Sequence, residues 1–351
     1  MINIALLGFG VIGSGTAKVL TDSSAEIAAV VGDDIYIKYI VDLRDFPGSP
    51  FESRIIKDFN IVLNDPEVQI VVEMFGGSHP AYDYSLAALR AGKNVITSNK
   101  EVVSNFGDEL LREAAAHGCR YLIEASVGGG IPLIRPLSTS FVPGDIYEIA
   151  GILNGTTNYI LTSMTEAAIR GKPIYMKECI AEAQRLGYAE RDPSADVEGV
   201  DACRKISILT ALAFGKLVSP DRISTKGITG ITAEDIRSAV ARGNQVKLIG
   251  RAAKLADGRV YASVAPCEVP PSCPLSHVND VFNAVLVRGR ALGDVIFYGR
   301  GAGSLPTATA VVSDIIDIAS NIGHQPSQIL WERADSLYTD KAPDDGGFVM
   351  L

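Results

Sequence analysis

I-N-I-A-L-L-G-F-G-V-I-G, residues Ile2 to Gly13, is a short apolar run that stops at a cluster of glycines. A helical stretch through Val19 and Leu20 follows, so the order is strand, glycine turn, helix. At this spacing Gly8 lets the backbone turn tightly, Gly10 lets it approach a pyrophosphate, and Gly13 lets the helix pack onto the strand. The free amides of the helix start meet the phosphates. A bare G-x-G-x-x-G is also an ordinary tight turn. Its place between a first strand and a first helix selects the dinucleotide reading, with Phe9, Val11 and Ile12 in the same cofactor turn.

Working outward, the pattern predicts a second strand over Tyr36 to Val41 that ends on Asp42, where an acidic residue holds an adenosine ribose and favours NAD. Arg44, with Arg54 and Lys57 beyond it, equally suits a ribose 2′-phosphate, or serves as solvated loop charge, so NAD and NADP both stay open. Ile70 to Glu73 followed by Phe75-Gly76-Gly77 reads as strand and cofactor-side turn, Pro80 to Leu89 as a helix closed by Gly92, and Asn94 to Thr97 as a strand. This alternation defines an α/β fold with a Rossmann-type doubly wound parallel sheet. The last of these strands delivers Ser98, Asn99 and Lys100 to the carboxyl edge, where open parallel sheets bind ligands. Helix capping by Asn99, with Glu101 in the first turn, accounts for the same residues. A helix to Gly118 and a strand over Arg120 to Ala125 lead into S-V-G-G-G-I-P. There the carboxylate of Glu124 either helps backbone carbonyls hold a monovalent cation or accepts amides in a turn, and the turn is the simpler account.

After Pro132 the pattern changes. The expected division is a nucleotide-binding domain over 1–131 plus 304–323, a second α+β domain (a mixed sheet covered by helices) over 132–303, and a polar, mobile tail over 324–351. In the second domain Tyr147 to Leu153 reads as a strand leading into N-G-T-T-N and a helix over Tyr159 to Arg170. Asn154, Gly155, Thr156 and Thr157 place amides and hydroxyls at a helix start, suited to a carboxylate, although capping alone explains them. A helix over 173–186 is followed by G-Y-A-E-R-D-P-S-A-D-V-E-G-V-D-A-C-R-K, Gly187 to Lys205, which crowds Glu190, Asp192, Asp196, Glu198 and Asp201 ahead of a helix that grows apolar on every side. Asp201 and Lys205 lie one turn apart on one face of that helix. Such a pair is commonly a solvated salt bridge worth a few tenths of a kcal/mol. A lysine beside a cavity of low dielectric instead becomes a proton donor or acceptor for a carbonyl or hydroxyl. A helix over Thr232 to Arg242 follows, then a hairpin from Val246–Lys254 and Arg259–Pro266 around Asp257-Gly258, and strands at Val281–Val287 and Val295–Tyr298. Finally G-R-G-A-G, with Gly303 inviting close approach of a ligand, precedes a helix over Pro306 to Ile322 that is expected to return to the first domain.

Composition narrows the function. The 351 residues suffice for two domains, and 47% apolar residues allow large cores. A net charge of -9 without any basic run argues against nucleic acid or an anionic membrane as partner. Cys119, Cys179, Cys203, Cys267 and Cys273 contain no C-x-x-C pair, which suits buried thiols in a reducing compartment and neither a disulfide frame nor a zinc site. The four histidines have no metal-ligand spacing. No leader pattern or bilayer-length apolar run is apparent, and a cytoplasmic protein is expected.

Five ordered blocks carry a resemblance: G-F-G-V-I-G at Gly8, S-N-K at Ser98, E-A-S-V-G-G-G-I-P at Glu124, G-I-L-N-G-T-T-N at Gly151, and the acidic stretch from Gly187 to Lys205. From Met1 to about Asn321 the chain resembles the homoserine dehydrogenases, which interconvert L-homoserine and L-aspartate 4-semialdehyde with NAD or NADP on the route from aspartate to threonine, methionine and isoleucine. The resemblance implies that Lys205 transfers the proton, that Asp201 and Glu190 hold the substrate or its transferring group, and that Lys100 stands near substrate and nicotinamide. Tyr188, Asp196, Asn154, Gly155 and Thr156, in the same blocks, are expected around the substrate. It further implies a monovalent cation, Na+ or K+, on Glu124 and the carbonyls of Val127, Gly129 and Ile131, and a homodimer built through the second domain. Many relatives carry an ACT domain or a kinase fusion. The residues after His324 are too few for either, so threonine feedback through such a domain is not expected.

Two other readings compete. One is a dehydrogenase of the same plan acting on a different amino-acid-derived carbonyl or imine. The other is a nucleotide-sensing regulator without turnover, which would have no use for Lys100, Glu190, Asp201 and Lys205 together.

Overall fold

Ile4, Ala5, Leu6 and Leu7 are each fully buried, so the first strand needs cover on both faces, as strands of parallel sheets do. In the computed structural model, which describes residues 1–172, 175–324, 330–343 and 347–351, that strand lies inside the first of two units. This unit comprises Met1–Ile134 with Ala302–Trp331, and the second comprises Arg135–Gly301 with Glu332–Leu351.

Among the described residues the first unit has six strands: β1 (Ile2–Leu7), β2 (Ile35–Val41), β3 (Ile55–Ile56), β4 (Val68–Glu73), β5 (Asn94–Thr97) and β6 (Tyr121–Leu122). They run parallel in the order β3-β2-β1-β4-β5-β6. The order reverses beside β1, and the crevice at the carboxyl ends there is where such sheets take a dinucleotide. Helices α1 (Val11–Asp22), α2 (Ser24–Val31), α3 (Phe59–Asn64), α4 (Ala81–Arg90) and α5 (Lys100–Ala116) connect the strands, and α12 (Ser304–Ser320) packs on α1. A methyl at Gly15 would stand 2.9 Å from Ser304 Oγ and 3.3 Å from the Ala308 methyl, so glycine sets the approach of those two helices. Val311, Val312, Ile315 and Ile318 of α12 complete the core over β1 and β4. Each such side chain contributes roughly 1.5–3 kcal/mol by leaving water.

In the second unit the strands are β7 (Ile146–Ile152), β8 (Lys216–Leu217), β9 (Ser224–Thr225), β10 (Gln245–Lys254), β11 (Val260–Val269), β12 (Phe282–Gly289), β13 (Gly293–Arg300), β14 (Glu332–Arg333), β15 (Tyr338–Thr339) and β16 (Val349–Met350). The main sheet runs β13-β12-β7-β10-β11-β15, with β9 and β16 also on β11, and mixes antiparallel with parallel pairs. Its helices are α6 (Ile134–Thr139), which begins at the last residue of the first unit, α7 (Gly155–Ile169), α8 (Met176–Arg185), α9 (Ser194–Val197), α10 (Val200–Phe214) and α11 (Ala233–Ala241). Gly250 of β10 takes the side of α10, where a methyl would meet Leu153 at 2.8 Å and Ile206 at 3.4 Å.

Several local expectations are corrected. The strand expected over Arg120 to Ala125 is reduced to β6, and Glu124–Ser126 form a single 3-10 turn, in which the Ser126 amide and hydroxyl both donate to the Ile123 carbonyl. Helix α7 starts four residues before Tyr159, because the Asn154 side chain accepts the Thr157 amide and caps it. Residues 173–174, where the next helix was expected to begin, lie outside the described residues, and α8 starts at Met176. The described part of the tail is folded. Trp331 is buried against Gly107 of α5, β14 pairs with β8, β15 and β16 pair with β11, and Lys226 Nζ donates to the Leu351 carbonyl. Residues 325–329 and 344–346 of the tail lie outside the described residues.

Candidate active site

The glycine turn after β1 is shaped by close backbone contact. Gly8 has φ +94°, and a methyl on Gly13 would fall 2.1 Å from the Gly8 carbonyl oxygen, so neither position accepts a side chain. Gly10 differs: a methyl there would meet only the Arg44 guanidinium, at 3.7 Å. The protein leaves Gly10 facing open space in a cleft of about 500 Å³ lined by Gly8, Gly10, Asp42, Arg44, Phe75 and Gly76, with Lys57 and Tyr84 also at its wall. Phe9 is buried behind the turn, whereas Val11 is exposed at the start of α1, with Ile12 beside it packed on the core.

Asp42 follows β2 and is fully engaged. Its Oδ2 accepts the Phe9 amide (2.8 Å) and Arg44 Nη2 (2.8 Å), and its Oδ1 accepts the Arg44 amide (2.9 Å) and Nε (3.0 Å). The Arg44 guanidinium holds the Asp42 carboxyl down to about 2 against the opposing effect of burial. Arg44 is itself 62% exposed, and Lys57 Nζ is anchored to the carbonyls of Leu43 and Arg44. Beyond the residues that line the cleft, Ser98 donates its amide to the Glu73 carbonyl, and Lys100 is the first residue of α5, capped by Asn99. Capping therefore accounts for Asn99. Gly303, with φ +129°, caps α12 against Pro306.

In the second unit the acidic stretch converges on one residue of the N-G-T-T-N turn. Asn154 Nδ2 donates to Asp196 Oδ1 (2.6 Å) and to Asp201 Oδ2 (2.9 Å), while its Oδ1 accepts from Thr157. Lys205 Nζ donates to Asp201 Oδ2 (2.7 Å) and to the Leu153 carbonyl (2.7 Å). Asp201 is 4% and Lys205 7% exposed. Burial of both side chains excludes the solvated salt bridge, and removing one partner of such a buried pair costs about 3–5 kcal/mol. Gly199, at φ +84°, ends the preceding turn and lets α10 begin with Asp201 on its first turn. Thr156 Oγ1 donates to the Tyr188 carbonyl (2.7 Å), tying the start of α7 to the acidic loop. Tyr188 and Glu190 are exposed and Asp196 is half-buried. Gly155 has a packing reason of its own, since a methyl would stand 2.7 Å from the Val281 carbonyl oxygen.

Glu124 is buried, and its Oε1 accepts the amides of Leu133 (2.7 Å) and Ile134 (3.0 Å). That oxygen does what the turn reading asks. Val127, Gly129 and Ile131 are also buried, with Gly129 at φ +55°. Among the described residues no group of three His, Cys, Asp or Glu side chains is placed to hold a metal ion, and the cysteines are free thiols.

Sequence reasoning passed over two buried groups, Glu73 and Lys247. Glu73 closes an apolar strand with a charge, V-Q-I-V-V-E, and Lys247 sits inside the strand Q-V-K-L-I-G. A charge within or ending an apolar strand was the available signal.

A dinucleotide turn on a parallel sheet in one unit, and a buried lysine–carboxylate pair in the other, define the class: an NAD(P)-dependent oxidoreductase acting on a CH–OH group. The family model for the homoserine dehydrogenase NAD-binding domain matches residues 8–124, and that for homoserine dehydrogenase matches residues 132–316. The chain belongs to the homoserine dehydrogenase family. It is 42% identical over 329 residues to the homoserine dehydrogenase of Bacillus subtilis, covering 92% of this chain and 73% of that one. The crystal structure of a homoserine dehydrogenase from Thiobacillus denitrificans superposes with a TM-score of 0.87 at 36% identity, covering 97% of this chain and 79% of that one. A hyperthermophilic archaeal homoserine dehydrogenase in complex with NADPH superposes at 0.75 with 28% identity, over 93% of this chain and 99% of that one. The chain thus spans about three quarters of the length of the curated relatives it matches.

Proposed function

We propose that Lys205 is the proton-transferring group in the interconversion of L-homoserine and L-aspartate 4-semialdehyde. The observation that carries this is its burial with Asp201 at 2.7 Å, under the Asn154 hub. When bound, the nicotinamide takes up or returns the hydride of the substrate carbon. As the alcohol is oxidised its oxygen gives up a proton, and as the aldehyde is reduced that oxygen gains negative charge, which an ammonium stabilises by donating the proton. Asp201 and the Leu153 carbonyl orient the Lys205 amine for this. Glu190, Tyr188 and Asp196, with Asn154, Gly155 and Thr156 at the start of α7, bind the amino-acid end of the substrate. The α7 amides suit its carboxylate and the acidic loop its ammonium. Lys100, at the N-terminus of α5, serves the nicotinamide side. Lys205→Ala is expected to lower turnover at least about a hundredfold while leaving cofactor affinity near that of the native chain. Near-native turnover in the variant, measured by homoserine-dependent reduction of the cofactor, would remove Lys205 from the mechanism.

The cofactor reading favours NADP. Both Asp42 oxygens are occupied by Arg44 and backbone amides, so a ribose 2′-hydroxyl would have to displace the guanidinium, whereas a 2′-phosphate attracts it together with Lys57. The NADPH complex of the archaeal relative supports this choice. Glu124 with the carbonyls of Val127, Gly129 and Ile131 is proposed to hold Na+ or K+, stiffening the glycine turn. Replacing both ions by tetramethylammonium should lower the thermal midpoint, and an unchanged midpoint would remove the site. The chain is further proposed to act in the cytoplasm, which its free thiols, four buried and Cys179 half-buried, suit, and to form a homodimer through the second unit.

A further inference from the structure

Glu73 is fully buried at the carboxyl end of β4, with no part in the reaction proposed above. Its Oε1 accepts the Phe75 amide (2.6 Å), and its Oε2 accepts the Thr97 hydroxyl (2.5 Å). Thr97 Oγ1 in turn accepts the Asn99 amide (2.9 Å), and Asn99 Nδ2 donates back to the Gly77 carbonyl (2.7 Å). The hydrogen bonds therefore close a ring that joins the ends of two neighbouring strands. One side of the ring is the turn Phe75–Gly77, whose first two residues line the cleft, and the other is the segment Ser98–Lys100 that starts α5.

We propose that Glu73 is a positioning residue of the cofactor site, its carboxylate fixing the Phe75–Gly77 turn against the start of α5 so that the cleft is preformed for the dinucleotide. The inference rests on reading that cleft as the cofactor site. The pattern seen is that of the ionised form: the Phe75 amide only donates, and the Thr97 hydroxyl donates to Glu73 while accepting from Asn99, so both carboxylate oxygens act as acceptors. A proton on Oε1 expels the Phe75 amide, and a proton on Oε2 reverses the Thr97 bond, so that either way the charge that grips the Phe75 amide is lost. Burial pushes the Glu73 carboxyl up to about 7, with the bonds from Thr97, Phe75 and Asn99 opposing it. The groups around it are Leu7 on β1, Thr97 on β5, Asn99 ahead of α5, and Tyr121 on β6; Lys100 and Glu101 follow Asn99 in the chain, and the Glu101 carboxylate accepts from Ser78. The Tyr121 hydroxyl is raised well above its ordinary value by burial and by the Glu73 charge. Tyr121 stays neutral throughout, so of these groups Glu73 is the one expected to change near neutrality. The charge-assisted ring is present above that pH and weakened below it.

The test is the dissociation constant of NADH and of NADPH, read by nicotinamide fluorescence from about pH 5.5 to about pH 8.5. Using both dinucleotides separates a protein group from the ionisation of the 2′-phosphate, which only one of them carries. The native chain is expected to bind both about tenfold more weakly at the acid end, with a shared inflection near pH 7. Glu73→Gln should lack the inflection and bind with the weak, acid-limb affinity at every pH. Thr97→Val should keep the inflection but move it upward, because it loses a bond that favours the charged form. Thr97→Val also carries the test by itself if Glu73→Gln does not fold. A flat profile in the native chain, or an inflection retained by Glu73→Gln, overturns the proposal. Gly10→Ala isolates the underlying reading: if it weakens the dinucleotide and Glu73→Gln does not, Glu73 alone is misassigned, and if neither weakens it, the cleft is not the cofactor site.

Discussion

Gly10 and Glu73 show how differently single residues report their purpose. Gly8 and Gly13 are demanded by the protein itself, whereas a methyl at Gly10 meets nothing closer than the Arg44 guanidinium at 3.7 Å. Gly10→Ala should therefore leave thermal stability within about 1 kcal/mol of native while weakening the cofactor sharply, because the methyl occupies the pyrophosphate's path. Calorimetry finding native affinity would place the cofactor elsewhere. Glu73 makes the opposite case, and linkage fixes the sign. Its folded carboxyl titrates near 7, above its ordinary value of 4.5, so between these values the folded chain holds a proton that the unfolded chain has released. Stability contributed by this group is thus fully present below the lower value and lost as pH rises through the higher one, by at most about 3 kcal/mol. Urea unfolding across that window should show a shallower decline in Glu73→Gln than in the native chain, and parallel declines would refute the buried titration. The glycine turn was legible because its logic is contained in six consecutive residues. Glu73 was not, because its partners Thr97 and Asn99 lie more than twenty residues away and only the β4–β5 pairing brings them near.

At the level of elements, the long strands and helices were legible and the short connecting ones were not. The β10–β11 hairpin announced itself through Asp257-Gly258 and the arms Val246–Lys254 and Arg259–Pro266, which alternate or run apolar, and in the structure each strand has ten residues. Glu124 was read on a strand because R-Y-L-I-E-A is apolar and β-prone. The chain bends after Leu122 because Glu124 is drawn to the amides of Leu133 and Ile134, and no local propensity encodes that pull. Buried polar links between elements are invisible to periodicity for the same reason, and Lys247 makes one of them. From β10 its amine reaches the Val278 carbonyl (2.6 Å), Asn279 Oδ1 (2.9 Å) and Asn158 Oδ1 (3.3 Å), three oxygens for three ammonium protons. Asn158 of α7 bonds the carbonyls of Val278 and Phe282, so strand, helix and loop share one knot. Burial pushes the amine down to about 8, which still leaves it mostly charged at neutral pH. Lys247→Met keeps the length of the side chain and strands those oxygens, so a loss of about 3 kcal/mol in urea unfolding is expected. A loss below about 1 kcal/mol would mean that water or a rearranged loop replaces the lysine.

For the whole molecule, the open question is what finishes the second sheet. Tyr298 pairs with Ala284 and Ile296 with Leu286, so these side chains continue the face on which Ala284, Leu286, Ala150 and Ile152 are buried. Yet on the edge strand β13, Ile296 is 41% and Tyr298 55% exposed. The core therefore runs out to the edge of the sheet and ends uncovered. A chain with a net charge of -9 repels its own copies at long range, so this apolar extension is the short-range contact expected to oppose that repulsion. The expected occupant is a second copy of the chain, as proposed above. Two consequences separate this from an isolated exposed pair. The dimer should tighten with rising salt, since screening removes repulsion without weakening apolar burial. The double substitution Ile296→Asp with Tyr298→Asp should give monomers in sedimentation equilibrium at concentrations where the native chain is dimeric, with the far-ultraviolet dichroism unchanged. A native chain that sediments as a monomer at all salt concentrations would refute the dimer, and a dimer that survives the double substitution would place the interface on another face.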